Sequence, residues 1–272
     1  YFEERDARPV STCVTVRSRS APALAGFAEV ATDPAFRGRG LATALCTQAV
    51  EDFRAAGGEA FFLGTVKPQA ARIYHRLGWR KLAGATVMAN ISNGDSPEAF
   101  LVDYFRDLGT ARVSPATPEV RIPMIPLLVS PHDWQVLDSN AAMFSTRYAA
   151  QGSCMGLYRR YEAVARDNQG SWFSAVTKNG RVVGLSTARL IDSDRCHVDA
   201  FTHRANESVW TELVRATTDW GTSRGASSFE ATVSVEDEEK RARFESVGFL
   251  SAGLSEPFDL GGRHVESVRF EI

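Results

Sequence analysis

The stretch ATDPAFRGRGLATAL, residues 31–45, sets two arginines and two glycines between an apolar strand and the first turn of a helix. A helix start leaves backbone N–H groups unpaired and carries about half a positive charge, so it takes anions readily. Gly38 and Gly40 have no side chains to block a phosphate, and Arg37 and Arg39 can add charge-assisted hydrogen bonds. A diphosphate fits this chemistry, although the four residues alone also read as a solvated Arg-Gly loop. Other phosphate loops fit worse. No Gly-x-x-x-x-Gly-Lys-Ser/Thr occurs, and Gly38-x-Gly40-x-x-Thr43 lacks the third glycine and the later acidic residue of a dinucleotide fold.

The surrounding pattern predicts the elements that would hold this loop. Strands are expected over 13–16 and 25–32, the second ended by Pro34, which cannot donate to a ladder. A helix over 40–56 carries Leu41, Leu45, Val50 and Phe53 on one face and closes at Gly57-Gly58. A buried strand over 60–66 follows, then a helix opening at Pro68, carrying Ala70, Ala71, Ile73, Tyr74 and Leu77, and stopping at Gly78. Such alternation implies a partly parallel sheet with helices on its faces.

The layout of 50–84 recurs over 218–253. Gly57 and Gly225 stand 168 positions apart; Tyr74 and Phe244, and Gly78-Trp79 and Gly248-Phe249, stand 170 apart. One supersecondary plan used twice points to an internal duplication. Residues 107–119 lose periodicity and gather Pro, Thr and Ser, so they read as a linker between domains at 1–106 and 120–272. The second half is expected to open with a strand near Val120. By that ruler the first copy lacks roughly fifty residues, either removed or never present in it.

Composition bounds the rest. With 272 residues and 44% hydrophobic content the chain supports two domains. A net charge of −2 and pI near 6.3, with basic residues scattered, argue against a nucleic-acid partner. No apolar run is long enough to span a membrane, and a cytoplasmic location is expected. The four cysteines show no metal-ligand spacing and are expected as free thiols, with no metal site. His75 is expected to be solvated; His197 and His203, and Trp172, Trp210 and Trp220, are expected in structural roles.

Arg37-Gly38-Arg39-Gly40-Leu41-Ala42 resembles the Arg/Gln-x-x-Gly-x-Gly/Ala signature of the GNAT superfamily of acetyl-coenzyme A dependent N-acyltransferases. VATDP (30–34) and AARIYHRLGW (70–79) are similar to that family's strand and its Ala-x-x-x-Tyr-x-x-x-Gly-aromatic helix. The motifs cover roughly residues 10–90; the second half shares the layout but not the signature. The resemblance implies an α/β fold of the α+β kind. It would comprise two tandem GNAT-like domains, each a mixed, mostly antiparallel sheet with splayed parallel strands flanked by helices.

It also implies roles. Acetyl-coenzyme A would lay its pyrophosphate on the loop amides and Leu41 and Ala42, and its pantetheine along Val30, Ala31 and Thr32, where one N–H polarises the thioester carbonyl. Tyr74 would protonate the leaving thiolate, and Glu29, the carboxylate on that strand, is the candidate base, directly or through water. Tyr74 otherwise packs helix on sheet, and strand alternation can turn Glu29 outward. The acceptor would be a primary amine of a small molecule or peptide, and the protein a monomer or homodimer. A non-catalytic acyl-coenzyme A sensor and an enzyme for a longer acyl group are the alternatives. In the second half, Asn206 and Ser208 replace the two glycines, Glu207 opposes an anion and Phe244 replaces Tyr74, so this copy is expected to be degenerate.

Overall fold

The computed structural model describes residues 1–272. The N-terminal unit runs β1 (Phe2–Arg5), β2 (Arg8–Arg17), β3 (Leu24–Thr32), α1 (Leu41–Ala55), β4 (Ala60–Gly64), α2 (Pro68–Arg76), β5 (Arg80–Lys81), β6 (Val87–Ile91) and α3 (Pro97–Tyr104). The C-terminal unit begins with β7 (Ala111–Pro115), α4 (Met124–Val129), β8 (Val136–Asp138), β9 (Met143–Phe144) and α5 (Cys154–Val164). It continues through β10 (Gly170–Thr177), β11 (Val182–Leu190), β12 (Arg195–Thr202), α6 (Trp210–Ser223), β13 (Ser228–Ser234), α7 (Glu238–Ser246), β14 (Leu250–Asp259) and β15 (His264–Glu271). No helix is long and apolar enough to cross a membrane.

The two large sheets follow one plan. Their orders are β1-β2-β3-β4-β6-β5 and β7-β10-β11-β12-β13-β15-β14, so β2 to β5 match β11 to β14 place for place. Each holds one parallel pair, β3 with β4 and β12 with β13, among antiparallel neighbours. The turns repeat as well: Trp79 N–H donates to Tyr74 O at 3.0 Å after α2, and Phe249 N–H to Phe244 O at 3.1 Å after α7. β7, α4 and α5 precede β10, the strand that matches β1.

Two expectations need correction. The span read as a linker contains β7, an edge strand paired with β10; its short, half-exposed, proline-ended sequence hid it. The strand expected near Val120 is helical: a 3-10 turn at Pro118–Arg121 precedes α4. Pro118, Pro123 and Pro126 would each remove a ladder donor from a central strand. Every residue of α4 is buried, so its pattern shows no polar face by which a helix could be recognised.

That burial has a structural cause. α5 lies between the sheets, touching β3 and β4 on one side and β10 and β11 on the other, and α4 packs on α5 and β11. One core of 51 buried residues consequently runs from Leu24, Phe62 and Ala89 through Ile125 and Leu128 to Phe173 and Leu185. A separate cluster joins Phe27, Phe61 and Leu63 to α1 on the opposite face of the first sheet. Backbone bonds stitch the units together: Thr86 N–H to Gln151 O and Gln151 N–H to Gly84 O, both 3.0 Å.

A buried polar network organises the C-terminal unit. Lys240, fully buried, lies 2.6 Å from Asp199 and donates to the carbonyls of Val136 and Leu137 at 2.9 and 3.1 Å. Asp237 accepts from the N–H groups of Gln135 and Val136, and Asp199 from the N–H and hydroxyl of Ser139. His197 Nε2 meets Thr232 Oγ1 at 3.0 Å, and burial pushes its pKa down to about 4, which marks it as a structural histidine. Burial, and then the Asp199 charge, push the Asp138 carboxyl up to about 7.

Gly84 adopts φ +66°, and a Cβ there would lie 2.0 Å from Thr146 O of the other unit. Gly84→Ala should cost about 2–4 kcal/mol. Because the core is shared, the loss should appear in one urea transition followed by tryptophan fluorescence; two separate transitions would show independent units. A raised carboxylate pKa means the folded state keeps a proton that the unfolded chain loses, so Asp138 lowers stability as pH rises from 3.8 towards about 7. Relative to Asp138→Asn, the wild type should lose unfolding free energy between about pH 4 and about pH 7. Parallel profiles in urea melts would show that Asp138 is ionised throughout.

Candidate active site

The parallel ladder of β3 with β4 runs from Leu24↔Ala60 to Phe27↔Leu63 and stops, while β3 continues to Thr32. Between Val14↔Ala28 and Thr12↔Ala31 the β2 register skips one residue of β3, a bulge at which Glu29 takes φ 51°. Thr12 Oγ1 donates to Glu29 O at 3.1 Å and fixes it. A bulge bends its strand. β3 thus leaves β4 behind, and the backbone edge of residues 28–32 that faces β4 has no strand partner.

The loop beyond is held from within. Asp33 accepts from Ala35 N–H at 2.8 Å and opens a 3-10 turn at Pro34–Phe36. Arg37 Nε donates to Thr32 O at 3.1 Å; Arg39 donates to Ala35 O at 3.1 Å with its guanidinium 5.0 Å above the Phe36 ring. Gly38 and Gly40 have φ +75° and +79°, and a Cβ on either would meet nothing within 4 Å. Conformation requires glycine here, and the space above it is open. Gly40 caps α1 with no side chain, so the first-turn amides are left to whatever enters.

Strand, loop and helix start border a cleft of about 660 Å³. β3 contributes Val30, Ala31 and Thr32, the loop Arg37, Gly38 and Gly40, and α1 Leu41 and Ala42. Tyr74 reaches it from α2, edge-on to Phe27 and Trp79. Burial first, then Cys46 and Cys13, push the Tyr74 phenol up to about 12, so it stays protonated. Cys46, also bordering the cleft, is pushed up to about 12 by burial, which keeps it a thiol.

Of the residues expected from sequence, Glu29 and Arg39 are not in this lining. Glu29 is exposed on the bulge, and Arg39 is turned onto Phe36. Lys67 and Arg76, which sequence reasoning missed, bring two more positive charges from the ends of α2. Their signal was faint, because a basic residue flanking a helix is usually solvated. No carboxylate borders the cleft, so its charge is uniformly positive.

The corresponding place in the C-terminal unit is built differently. The β12–β13 ladder ends after His197↔Glu230 and the strands part again. There residues 135–139 are tied between Asp199 on β12 and Ser234, Asp237 and Lys240 at the β13–α7 corner. A 3-10 turn at Arg204–Val209 replaces the glycine loop, Glu207 pairs with Arg243 at 2.6 Å, and Phe244 stands in Tyr74's place, fully buried. His203 stacks on Phe105 at 4.0 Å and accepts from Ala205 N–H at 3.2 Å, a structural role.

No curated protein sequence matches the chain. Among solved structures it is similar to spermidine/spermine N-acetyltransferase SpeG from Vibrio cholerae, with 16% identity over 60% of this chain and 92% of that one, TM-score 0.43. It is likewise similar to the GNAT domain of S. lividans PAT, with 17% identity over 61% and 92%, TM-score 0.42. Residues 1–79 match the model of the acetyltransferase (GNAT) family, a span that runs from β1 through the glycine loop to Tyr74 and Trp79. The similarity to the acetyltransferase (GNAT) family therefore lies in the N-terminal unit, over the strand, glycine loop and helices that border the cleft.

Proposed function

We propose that the N-terminal unit transfers an acetyl group from acetyl-coenzyme A to a primary amine of a small molecule or peptide, by direct attack in a ternary complex. The observation that carries this reading is the open positive cleft, which joins an unpartnered strand edge to an uncapped helix start. The pyrophosphate lies over Gly38 and Gly40 on the first-turn amides of α1, with Arg37, Lys67 and Arg76 close enough to offset its charge. The pantetheine amides pair with the free edge of β3 at Val30, Ala31 and Thr32.

The amine nitrogen attacks the thioester carbonyl carbon, and a β3 N–H takes the charge that develops on oxygen. As the C–S bond breaks, the electrons stay on sulfur. Tyr74 hydrogen-bonds the thiolate and hands it a proton, which solvent restores. The amine's own proton leaves through water; Glu29, exposed on the bulge, is placed to receive it there and not by direct contact. The matching sheet orders support a division into two units that meet between α3 and β7, and their origin by duplication. The plugged parting of the second unit supports one coenzyme site per chain.

Calorimetric titration with acetyl-coenzyme A should give one site per chain, and Gly40→Glu, which adds bulk and negative charge at the loop, should abolish it. Unchanged affinity in that variant would sink the phosphate assignment. Tyr74→Phe should lower kcat about a hundredfold with the coenzyme affinity kept, as expected for loss of a general acid. A non-catalytic binding domain would bind equally well and turn over no amine in either form.

A further inference from the structure

The face of the first sheet that looks away from the cleft is closed at its weakest point by the other unit. Ala25, Phe27, Phe61 and Leu63 alternate towards α1 and α2, so Gly26 and Gly64 face the opposite way. Both stand at the last rungs before β3 and β4 part: Gly26 pairs with Phe62, and Gly64 follows Leu63. A Cβ on Gly64 would lie 2.7 Å from Ser153 Cα and 3.0 Å from Cys154 N. One on Gly26 would lie 2.7 Å from Met155 Sδ and 2.9 Å from Ile122 Cδ1. Neither glycine has a positive φ, so close approach explains them, not conformation. The start of α5 is therefore pressed onto the sheet where the strands separate.

A coenzyme arm that enters from the α1 and α2 face and threads the parting delivers its acyl group towards that far face. We propose that Met155, seated on Gly26 beside Ser153 from the C-terminal unit, is the floor of the acyl site and restricts the donor to short acyl groups. This rests on the coenzyme reading above and deepens it. Met155 is half-buried and packs on the shared core, with a long flexible chain that fills the space a longer acyl group needs. Fixed backbone at Ser153 and Cys154 narrows the same space from the β4 side. A pocket that lacks room for additional methylenes discriminates by about tenfold or more.

The test is the ratio of affinities for butyryl- and acetyl-coenzyme A, measured calorimetrically on the full chain, because a purely structural role does not move that ratio. The wild type should favour acetyl-coenzyme A about tenfold, and Met155→Ala should bring the ratio near unity by tightening butyryl binding. Met155→Val, which shortens the side chain without removing it, should shift the ratio the same way and serves if the alanine variant melts early. An unchanged ratio in a folded variant that still binds acetyl-coenzyme A overturns the role of Met155 alone. Failure of the folded wild type to bind either donor overturns the coenzyme reading and this inference with it.

Discussion

Two parallel strands that part leave backbone N–H and C=O groups without partners, and something must take them up. This happens twice in the chain, after Phe27↔Leu63 and after His197↔Glu230. In the C-terminal unit the chain answers with its own residues 135–139, whose amides and carbonyls are bound by Asp237, Asp199 and Lys240. In the N-terminal unit no strand pairs with the β4-facing edge of β3 beyond Phe27, and that edge borders the cleft. The same topological event is thus a closed core in one unit and an open cleft in the other. A ligand that runs like a strand is what the open version suits.

The price of a closed parting is a buried polar network. Lys240 and Asp199 are fully buried, and desolvating such a pair usually costs about as much as the attraction returns. Here the ammonium also satisfies two carbonyls of β8, and the carboxylate satisfies an amide and a hydroxyl. The pair therefore holds a segment in register as well as holding itself. Glu207, paired with Arg243 where the first unit has its open glycine loop, extends the same logic outward.

The loop was legible in sequence because its requirements fall on residue types. A positive φ at positions 38 and 40 selects glycine, and charge selects arginine. Tyr74 was legible because one helical turn before Gly78 is a fixed direction in space. The linker and Val120 readings failed for a tertiary reason: α4 is apolar all round because it is fully buried, packed on β11 and α5, and β7 is an edge strand too short to show alternation. The direction of the Glu29 side chain was not legible for a local reason, since the bulge breaks the period-two rule of the strand. Lys67 and Arg76 needed α2 to be set beside the loop, which no single segment encodes.

The two units share a sheet order but differ at the partings, and α4 and α5 lie on the shared side. A helix pair that must fit β3 and β4 on one side and β10 and β11 on the other is constrained from both, since close-packed interiors transmit changes of a methylene. The loops at the partings lie outside that packing, and one holds glycines where its counterpart is a 3-10 turn. At the corresponding place the C-terminal unit has a smaller cleft of about 270 Å³, lined by Thr202, His203, Arg204, Glu207 and Glu239, and the same unit also packs on the first sheet. Its α5 presses on Gly26 and Gly64, and a shift there moves the two strands whose separation makes the cleft.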